Sequence, residues 1–208
     1  MTTRRSRKNP NKPTATQLDP RVIDLMRRLM LALEPAKIEY AIGGAVAMYA
    51  HGYRRHTSDV DAFIADSVRI KAIRLVREQG LEIMPVFPPH HYAAYDPKHG
   101  DPEIRIDLMF PADEPELSAI DFPDRKTIGG MKRNVFPSAL LVIAKFYANR
   151  AKDKFDIAAM LEVGAFDADE VVRILSGYDP DLVPEFREFM RSITEPTAPR
   201  KRPDRKPR

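Results

Sequence analysis

Helical and strand patterns alternate along the first two thirds of the chain. A helix is predicted to begin at Asp19-Pro20, because aspartate suits the N-cap and proline the first helical position, and its apolar spacing runs on toward Pro35. A short alanine-rich helix is predicted from Ala45 to Ala50, and a third helix between Asp66 and Gly80. The third helix has one apolar face to bury, which carries Val68, Ala72, Leu75 and Val76.

Apolar runs with the length of strands lie between and after these helices, at residues 38–42, 60–65, 81–87 and 103–110. The first run stops at Gly43-Gly44, which suits a tight turn. The segment between the last two runs contains four prolines and the pair His90-His91, and is predicted to be a surface loop. Residues 127–131 contain two glycines and are predicted to form a turn within or between further short strands.

The pattern becomes helical from Ser138 onward, with helices predicted for residues 138 to about 163, 167–175 and 181–193. We therefore predict an α/β (α+β) fold. A small mixed β-sheet flanked by helices should occupy residues 18–136, and a C-terminal helical bundle should occupy residues 137–195.

Charge divides the chain into a core and two tails. Residues 1–17 carry five Lys/Arg and no acid, and residues 196–208 carry six Lys/Arg and one Asp, whereas residues 18–195 carry 23 bases against 29 acids. Both tails are proline-rich and lack large apolar residues, so we predict that they are disordered. They are expected either to attract RNA or DNA phosphates or to act as solubilising extensions.

Composition excludes several chemistries. The 208 residues fit one domain with a helical extension, and the absence of cysteine excludes disulfides, thiolate metal sites and a thiol nucleophile. The longest apolar run is far shorter than the ~20 residues of a membrane span. No signal-peptide core follows the basic N-terminus, so a cytoplasmic protein without membrane association is expected.

Three aspartates and a diglycine carry the candidate chemistry. Asp59 and Asp61 lie two residues apart on a predicted strand and should project from the same face. On a second predicted strand, Asp107 lies on the face opposite the apolar residues. If the two strands are neighbours, the three carboxylates converge and offer oxygen ligands to Mg²⁺ or Mn²⁺. Gly43 and Gly44 would let the backbone approach a phosphate at the start of the following helix.

Each of these signals alone has an ordinary structural explanation, as a solvated acidic pair, a turn or an edge residue. Their joint order, however, resembles the nucleotidyltransferase superfamily typified by DNA polymerase β, whose signature is a hydrophobic residue, Gly-Gly or Gly-Ser, a spacer and Asp-x-Asp. The segments 41–45 and 55–61 look most like the AbiE-type toxin and related minimal nucleotidyltransferase branches. The resemblance covers roughly residues 38–163, with a spacer of fourteen residues that is slightly longer than usual.

The resemblance implies transfer of a nucleoside monophosphate from a nucleoside triphosphate to an acceptor hydroxyl. Asp59, Asp61 and Asp107 would be the catalytic and metal-binding carboxylates. Gly43 and Gly44 would contact the phosphates. The acceptor could be RNA, with tRNA favoured, a protein or a small antibiotic-like molecule, and a cognate antitoxin protein is a possible partner.

A polar stripe is predicted on the long helix 138–163, where Lys145, Asn149, Lys152 and Asp156 would share one side. Lys145 is expected to meet the triphosphate while Asp156 orients or neutralises a neighbouring base. The alternatives are a structural Lys–Asp ion pair, such as Lys152 with Asp156, or a Lys145 side chain that extends to solvent. The segment 145–156 is similar to the helical motif of the AbiE-type branch.

Three further positions near the motif are less specific. Arg55 and Thr57 are counted among the candidate nucleotide-binding residues. Arg55 is expected either to contact a phosphate or to pair with a surface acid, and for Thr57 a local hydrogen bond in a turn is favoured. The pair His90-His91 could touch substrate, although a solvated loop pair is favoured.

Two alternative functions keep parts of this interpretation. One is a catalytically silent member that binds nucleotide or nucleic acid. Against it, an unused acidic cluster would cost stability through like-charge repulsion. The other is a helical interaction module, such as half of a toxin–antitoxin pair, which docks a partner through the helices from Ser138 to Ile193.

Overall fold

The computed structural model describes residues 18–98 and 101–195, which form a mixed α+β fold. The predicted fold class is confirmed. Its strands are β1 (Tyr40–Ile42), β2 (Asp59–Ile64), β3 (Glu82–Phe87), β4 (His91–Tyr95), β5 (Arg105–Met109), β6 (Asp124–Ile128) and β7 (Met131–Val135). Its helices are α1 (Pro20–Leu33), α2 (Gly44–Ala50), α3 (Arg69–Glu78), α4 (Glu116–Asp121), α5 (Ser138–Ala148), α6 (Ala151–Glu162), α7 (Ala168–Tyr178) and α8 (Val183–Thr194).

The basic tails lie outside the described residues, so their proposed disorder and nucleic-acid contacts stay predictions, as does the division of the chain near residue 136. Within the described ranges, no helix is both long and hydrophobic enough to cross a bilayer.

The strands form one mixed sheet in the order β3-β4-β5-β2-β1-β7-β6. Parallel pairing joins β2 to β5 and β1 to β7, and the other neighbouring strands are antiparallel. The expected neighbourhood of the Asp59/Asp61 strand and the Asp107 strand is therefore confirmed. The predicted turn at residues 127–131 is also confirmed, because Gly129-Gly130 connects β6 to β7 as a two-residue hairpin loop.

Part of the hydrophobic core lies against one face of the central strands, and the rest lies among α2 and the C-terminal helices. Val60, Ala62, Ile106 and Leu108 are fully buried on that face and belong to a core shared with the apolar side of α1. Helices α1 and α3 contact each other and the strands β2, β5 and β3. Because side chains alternate along a strand, Asp59, Asp61 and Asp107 project from the opposite face.

Strand β3 forms one edge of the sheet and exposes more apolar surface than the other strands. Met84, Val86 and Phe87 are all exposed. Pro85 lies within the strand, and the register with β4 shifts between Pro85 and Phe87.

Two predictions about segments were wrong. The predicted surface loop contains β4, whose Ala93 and Ala94 are buried between β3 and β5. The predicted long helix from Ser138 is two helices, because Asn149 adopts a left-handed conformation with φ of 49° and ends α5. Helix α4 was not predicted.

Candidate active site

Three carboxylates converge on the face of the sheet opposite α1 and α3. Asp59 and Asp61 lie two residues apart on β2, and Asp61 is paired directly with Asp107 on β5. One carboxylate oxygen from each residue lies within 4.8 Å of the other two. We call Asp59, Asp61 and Asp107 the carboxylate cluster.

The diglycine lies directly beside this cluster. The Gly43 amide donates a hydrogen bond of 2.8 Å to the carbonyl oxygen of Asp61. Gly44 has a φ of +53°, and a Cβ atom at this position would lie 1.7 Å from Oδ2 of Asp61. Glycine is therefore required at position 44 both by the backbone conformation and by the space that the Asp61 carboxylate occupies.

Hydrogen-bond donors are distributed unevenly over the cluster. Thr57 donates to Oδ1 of Asp59 at 2.5 Å, which confirms the predicted local bond. His91 Nε2 and Arg105 Nε both lie 2.9 Å from Oδ1 of Asp107. Asp61, at the centre, accepts no side-chain hydrogen bond from the residues in the described ranges.

The environment of Asp61 disfavours its ionised form. Burial, together with the charges of Asp59 and Asp107, raises the pKa of Asp61 from 3.8 to about 6, although Lys145 and Lys152 act in the opposite sense. A divalent cation would relieve this repulsion. Three converging carboxylate oxygens are also the hard ligands that Mg²⁺ and Mn²⁺ prefer. The residues present therefore fit such an ion.

A second group of charged residues lies on the helical side. Lys145 Nζ on α5 bonds to Asp156 at 2.7 Å and to Asp153 at 3.2 Å, both on α6. Arg150 Nε donates to Asp153 at 2.6 Å, and Arg55 Nε lies 3.3 Å from Asp156 without hydrogen-bond alignment. We call these five residues the ion-pair network.

The network favours the ionised form of Asp153. The Asp153 side chain is fully buried. Burial alone would favour its neutral form, but the hydrogen bonds and charges of Arg150 and Lys145 outweigh that effect and lower the pKa of Asp153. The network therefore joins α5, α6 and the segment before β2 through compensated charges.

The cluster and four members of the network, Arg55, Lys145, Arg150 and Asp153, line one cavity of about 650 Å³, a size ordinary for small-molecule sites. The cavity brings together most of the predicted site residues. Those that line it are Gly44, Arg55, Asp59, Asp61, Asp107, Lys145 and Lys152.

The predicted polar stripe does not exist as a helical face, because the chain bends at Asn149. Lys145 and Asp156 meet across the bend between two helices. The structural alternative of a Lys–Asp ion pair is thus present, with Lys145 rather than Lys152 as the partner of Asp156. Arg55 pairs with this buried acid and not with a surface one.

Four residues of the site were missed in the sequence. His91 was favoured as a solvated loop residue, which is wrong, because it lies on β4 and contacts Asp107. Arg105 could have been found from its i, i+2 spacing to Asp107 on one strand. Asp153 meets Lys145 only because the chain bends at Asn149, and Arg150 bonds to Asp153 three residues along the chain.

No protein-family model matches the sequence, and no curated protein is significantly similar to it. Solved structures do match. ANT(2'')-Ia in complex with adenylyl-2''-tobramycin is 18% identical, with a TM-score of 0.53 over 82% of this chain and 98% of that one. A Thermotoga maritima protein assigned as a nucleotidyltransferase is 14% identical, with a TM-score of 0.53 over 70% and 96% of the two chains.

A third match is the lincosamide antibiotic adenylyltransferase LnuA with bound lincomycin, 14% identical, with a TM-score of 0.50 over 71% of this chain and 99% of that one. Likeness at such identities establishes the fold, which is that of nucleotidyltransferases.

Proposed function

We propose that this protein transfers a nucleoside monophosphate from a nucleoside triphosphate to an acceptor hydroxyl. The observation that carries the proposal is the convergence of Asp59, Asp61 and Asp107 within 4.8 Å of one another beside Gly44. The nucleotidyltransferase fold supports the same reaction, because two of the similar structures are adenylyltransferases or hold an adenylylated product.

In this reaction the acceptor oxygen forms a bond to the α-phosphorus, and the bond from the α-phosphorus to its bridging oxygen breaks. Pyrophosphate leaves, and the acceptor proton is taken up at the carboxylate cluster. Asp59, Asp61 and Asp107 would hold Mg²⁺ or Mn²⁺, which when bound neutralises charge on the phosphates and lowers the pKa of the acceptor hydroxyl.

The triphosphate is proposed to lie between the diglycine turn and the ion-pair network. Gly44 lines the cavity at the start of α2, Gly43 precedes it, and Lys145, Lys152 and Arg55 bring positive charge to the cavity. Lys152 is exposed, while Lys145 is already bonded to two aspartates. Lys145 would therefore contact a phosphate as part of the network rather than as an isolated charge.

The resemblance to AbiE-type toxins extends the proposal to the acceptor. We propose an RNA end, with tRNA favoured, and a cognate antitoxin as protein partner. The antibiotics in two of the similar structures, tobramycin and lincomycin, define the competing small-molecule class.

The test is transfer of label from each of four α-³²P-labelled triphosphates with Mg²⁺. Host tRNA, a protein extract, an aminoglycoside and a lincosamide are offered as separate acceptors. We expect labelled tRNA with the wild type and no labelled product with Asp59→Asn or Asp61→Asn. Wild-type turnover in either variant would disprove the roles assigned to these residues.

The same assay separates the alternatives. A catalytically silent protein would bind triphosphate and label none of the acceptors. A partner-docking module would form a stable complex with a protein encoded nearby and show no metal-dependent chemistry. Label on an antibiotic would keep the reaction and replace the acceptor.

A further inference from the structure

Asp107 differs from the other two carboxylates in how its oxygens are used. Its Oδ1 atom is the partner of two groups from two strands, His91 Nε2 on β4 and Arg105 Nε on β5, each at 2.9 Å. Asp107 is also the most buried member of the cluster, with 5% of its surface exposed. One oxygen is therefore occupied, and the other is left for the cavity.

The direction of both bonds follows from the chemistry of the groups. A carboxylate oxygen beside a guanidinium accepts, so Arg105 donates, and His91 donates when Nε2 carries its proton. Bonds between charged partners of this kind are shorter and stronger than neutral ones. Together the two donors fix the rotation of a side chain that faces two like charges.

We propose that His91 and Arg105 are positioning residues, which clamp Oδ1 of Asp107 so that Oδ2 is presented to the divalent cation as a single ligand. This inference rests on the proposed function. It adds two residues that no sequence motif indicated. It also assigns one oxygen of Asp107 to orientation of the side chain and the other to metal binding.

The contrast within the cluster supports a positioning role. Asp61 lies between the other two carboxylates, and the space left by Gly44 confines its oxygen. Asp107 has no such confinement from a turn. Without the clamp it would be a nearly buried carboxylate beside two others, and rotation away from them would lower the repulsion. Donors from two different strands oppose that rotation.

The clamp lies on one defined side of the cluster. In the sheet order, β4 and β1 flank the β5–β2 pair from opposite sides, so His91 and the diglycine turn lie at opposite ends of the site. Loss of the clamp should therefore lower kcat more than it raises KM for the triphosphate.

The experiment compares His91→Ala with His91→Gln, whose amide nitrogen can restore a donor. The matched control is His90→Ala, because His90 bonds to the carbonyl oxygen of Phe110 and not to Asp107. Mn²⁺ binding is followed by electron paramagnetic resonance with a non-hydrolysable triphosphate analogue, and kcat and KM are measured separately.

Loss of a bond that orients a metal ligand typically weakens metal affinity or activity about 10- to 100-fold. We expect this loss of Mn²⁺ affinity and of kcat in His91→Ala, recovery of most of it in His91→Gln, and wild-type values in His90→Ala. If His91→Ala does not fold, His91→Gln and Arg105→Gln carry the test, with a loss expected for Arg105→Gln.

Unchanged Mn²⁺ affinity in His91→Ala, or in Arg105→Gln where it replaces that variant, would overturn the inference while leaving the proposed function intact. A change confined to KM for the triphosphate would also overturn it, because the clamp would then act on the nucleotide. A wild type that binds no Mn²⁺ would overturn the proposed function and this inference with it.

Discussion

The carboxylate cluster and most of the ion-pair network line the same cavity and use the same side-chain types, but their charges are balanced differently. In the cluster three carboxylates converge, Arg105 is the one permanent cation bonded to them among residues 18–98 and 101–195, and the pKa of Asp61 rises to about 6. In the network two aspartates are matched by Lys145, Arg150 and Arg55, and the pKa of Asp153 falls.

The difference shows how one residue type serves two purposes. Carboxylates with few cationic partners repel one another, and a divalent cation that binds between them reduces this repulsion. Such a group therefore suits metal binding. A group with matched partners resists separation and suits structure, because removal of one member leaves an uncompensated buried charge. Four substitutions test this comparison, from the largest expected effect to the smallest.

Gly44→Ala should reduce nucleotide transfer about 100-fold, because its Cβ would meet Oδ2 of Asp61 at 1.7 Å and displace a ligand by about an ångström. Steady-state transfer kinetics provide the measurement. Gly80→Ala is the control, since Gly80 also has positive φ, at +78°, but a Cβ there meets no atom within 4 Å. Equal activity of the two variants would contradict the role of the close approach.

Asp153→Ala should lower the free energy of unfolding by about 1.5–3 kcal/mol, because Lys145 keeps only Asp156 as a buried partner and the exposed Arg150 loses its bond. Urea denaturation at neutral pH measures this difference. The exposed Glu188 on α8 supplies the control, and Glu188→Ala should change stability by less than about 0.5 kcal/mol. A loss below about 1 kcal/mol in Asp153→Ala would mean that the network is not structural.

Asp61→Asn should stabilise the metal-free protein at neutral pH by about 1–3 kcal/mol. Because the pKa of Asp61 is raised on folding, its contribution to stability is full below about pH 3.8 and is lost as the pH rises to about 6. The difference in free energy of unfolding between the variant and the wild type should therefore increase across this pH range and stay constant above it.

Urea denaturation with a chelator, repeated from pH 4 to pH 8, follows this difference. Acid acts on Asp153 in the opposite sense, because its pKa is lowered and its contribution is lost as the pH falls. Asp61→Asn contains the same Asp153, so this effect cancels in the comparison. A variant less stable than the wild type at pH 7 would contradict the stored repulsion.

Lys145→Ala should weaken triphosphate binding about tenfold, an effect of about 1.4 kcal/mol. The reason is that Lys145 lines the cavity and is one of the two lysines whose charge reaches Asp61. Calorimetry with Mg²⁺ and each triphosphate measures this affinity, and the exposed Lys154 on α6, which does not line the cavity, gives the control Lys154→Ala. Unchanged affinity would assign Lys145 to structure alone.

The sequence was sufficient for the carboxylate cluster because strand alternation and the diglycine turn are local features. Asp59 and Asp61 share a face by spacing, and one parallel strand pair brings Asp107 beside them. It was not sufficient for β4, because prolines on both sides of this short segment, together with His90 and His91, are typical of a loop. Pairing on both sides, with β3 and β5, makes that segment a strand.

The same limit explains the missed contacts of the helical region. The run from Ser138 has continuous helical periodicity, and asparagine at position 149 is only a weak stop signal. The left-handed turn there brings Asp153 and Asp156 back toward Lys145. A straight helix would have placed Lys145 and Asp156 three turns apart.

Pro85 affects how the molecule behaves in a crowded solution. The edge formed by β3 exposes Met84, Val86 and Phe87, and such a strand is a template on which further chains can add and grow into fibrils. Proline on an edge strand directs its missing N–H toward solvent, and the register shift that follows twists the strand. One imino acid thus protects the sheet from intermolecular growth, and Pro85→Val would remove this protection without touching the cavity.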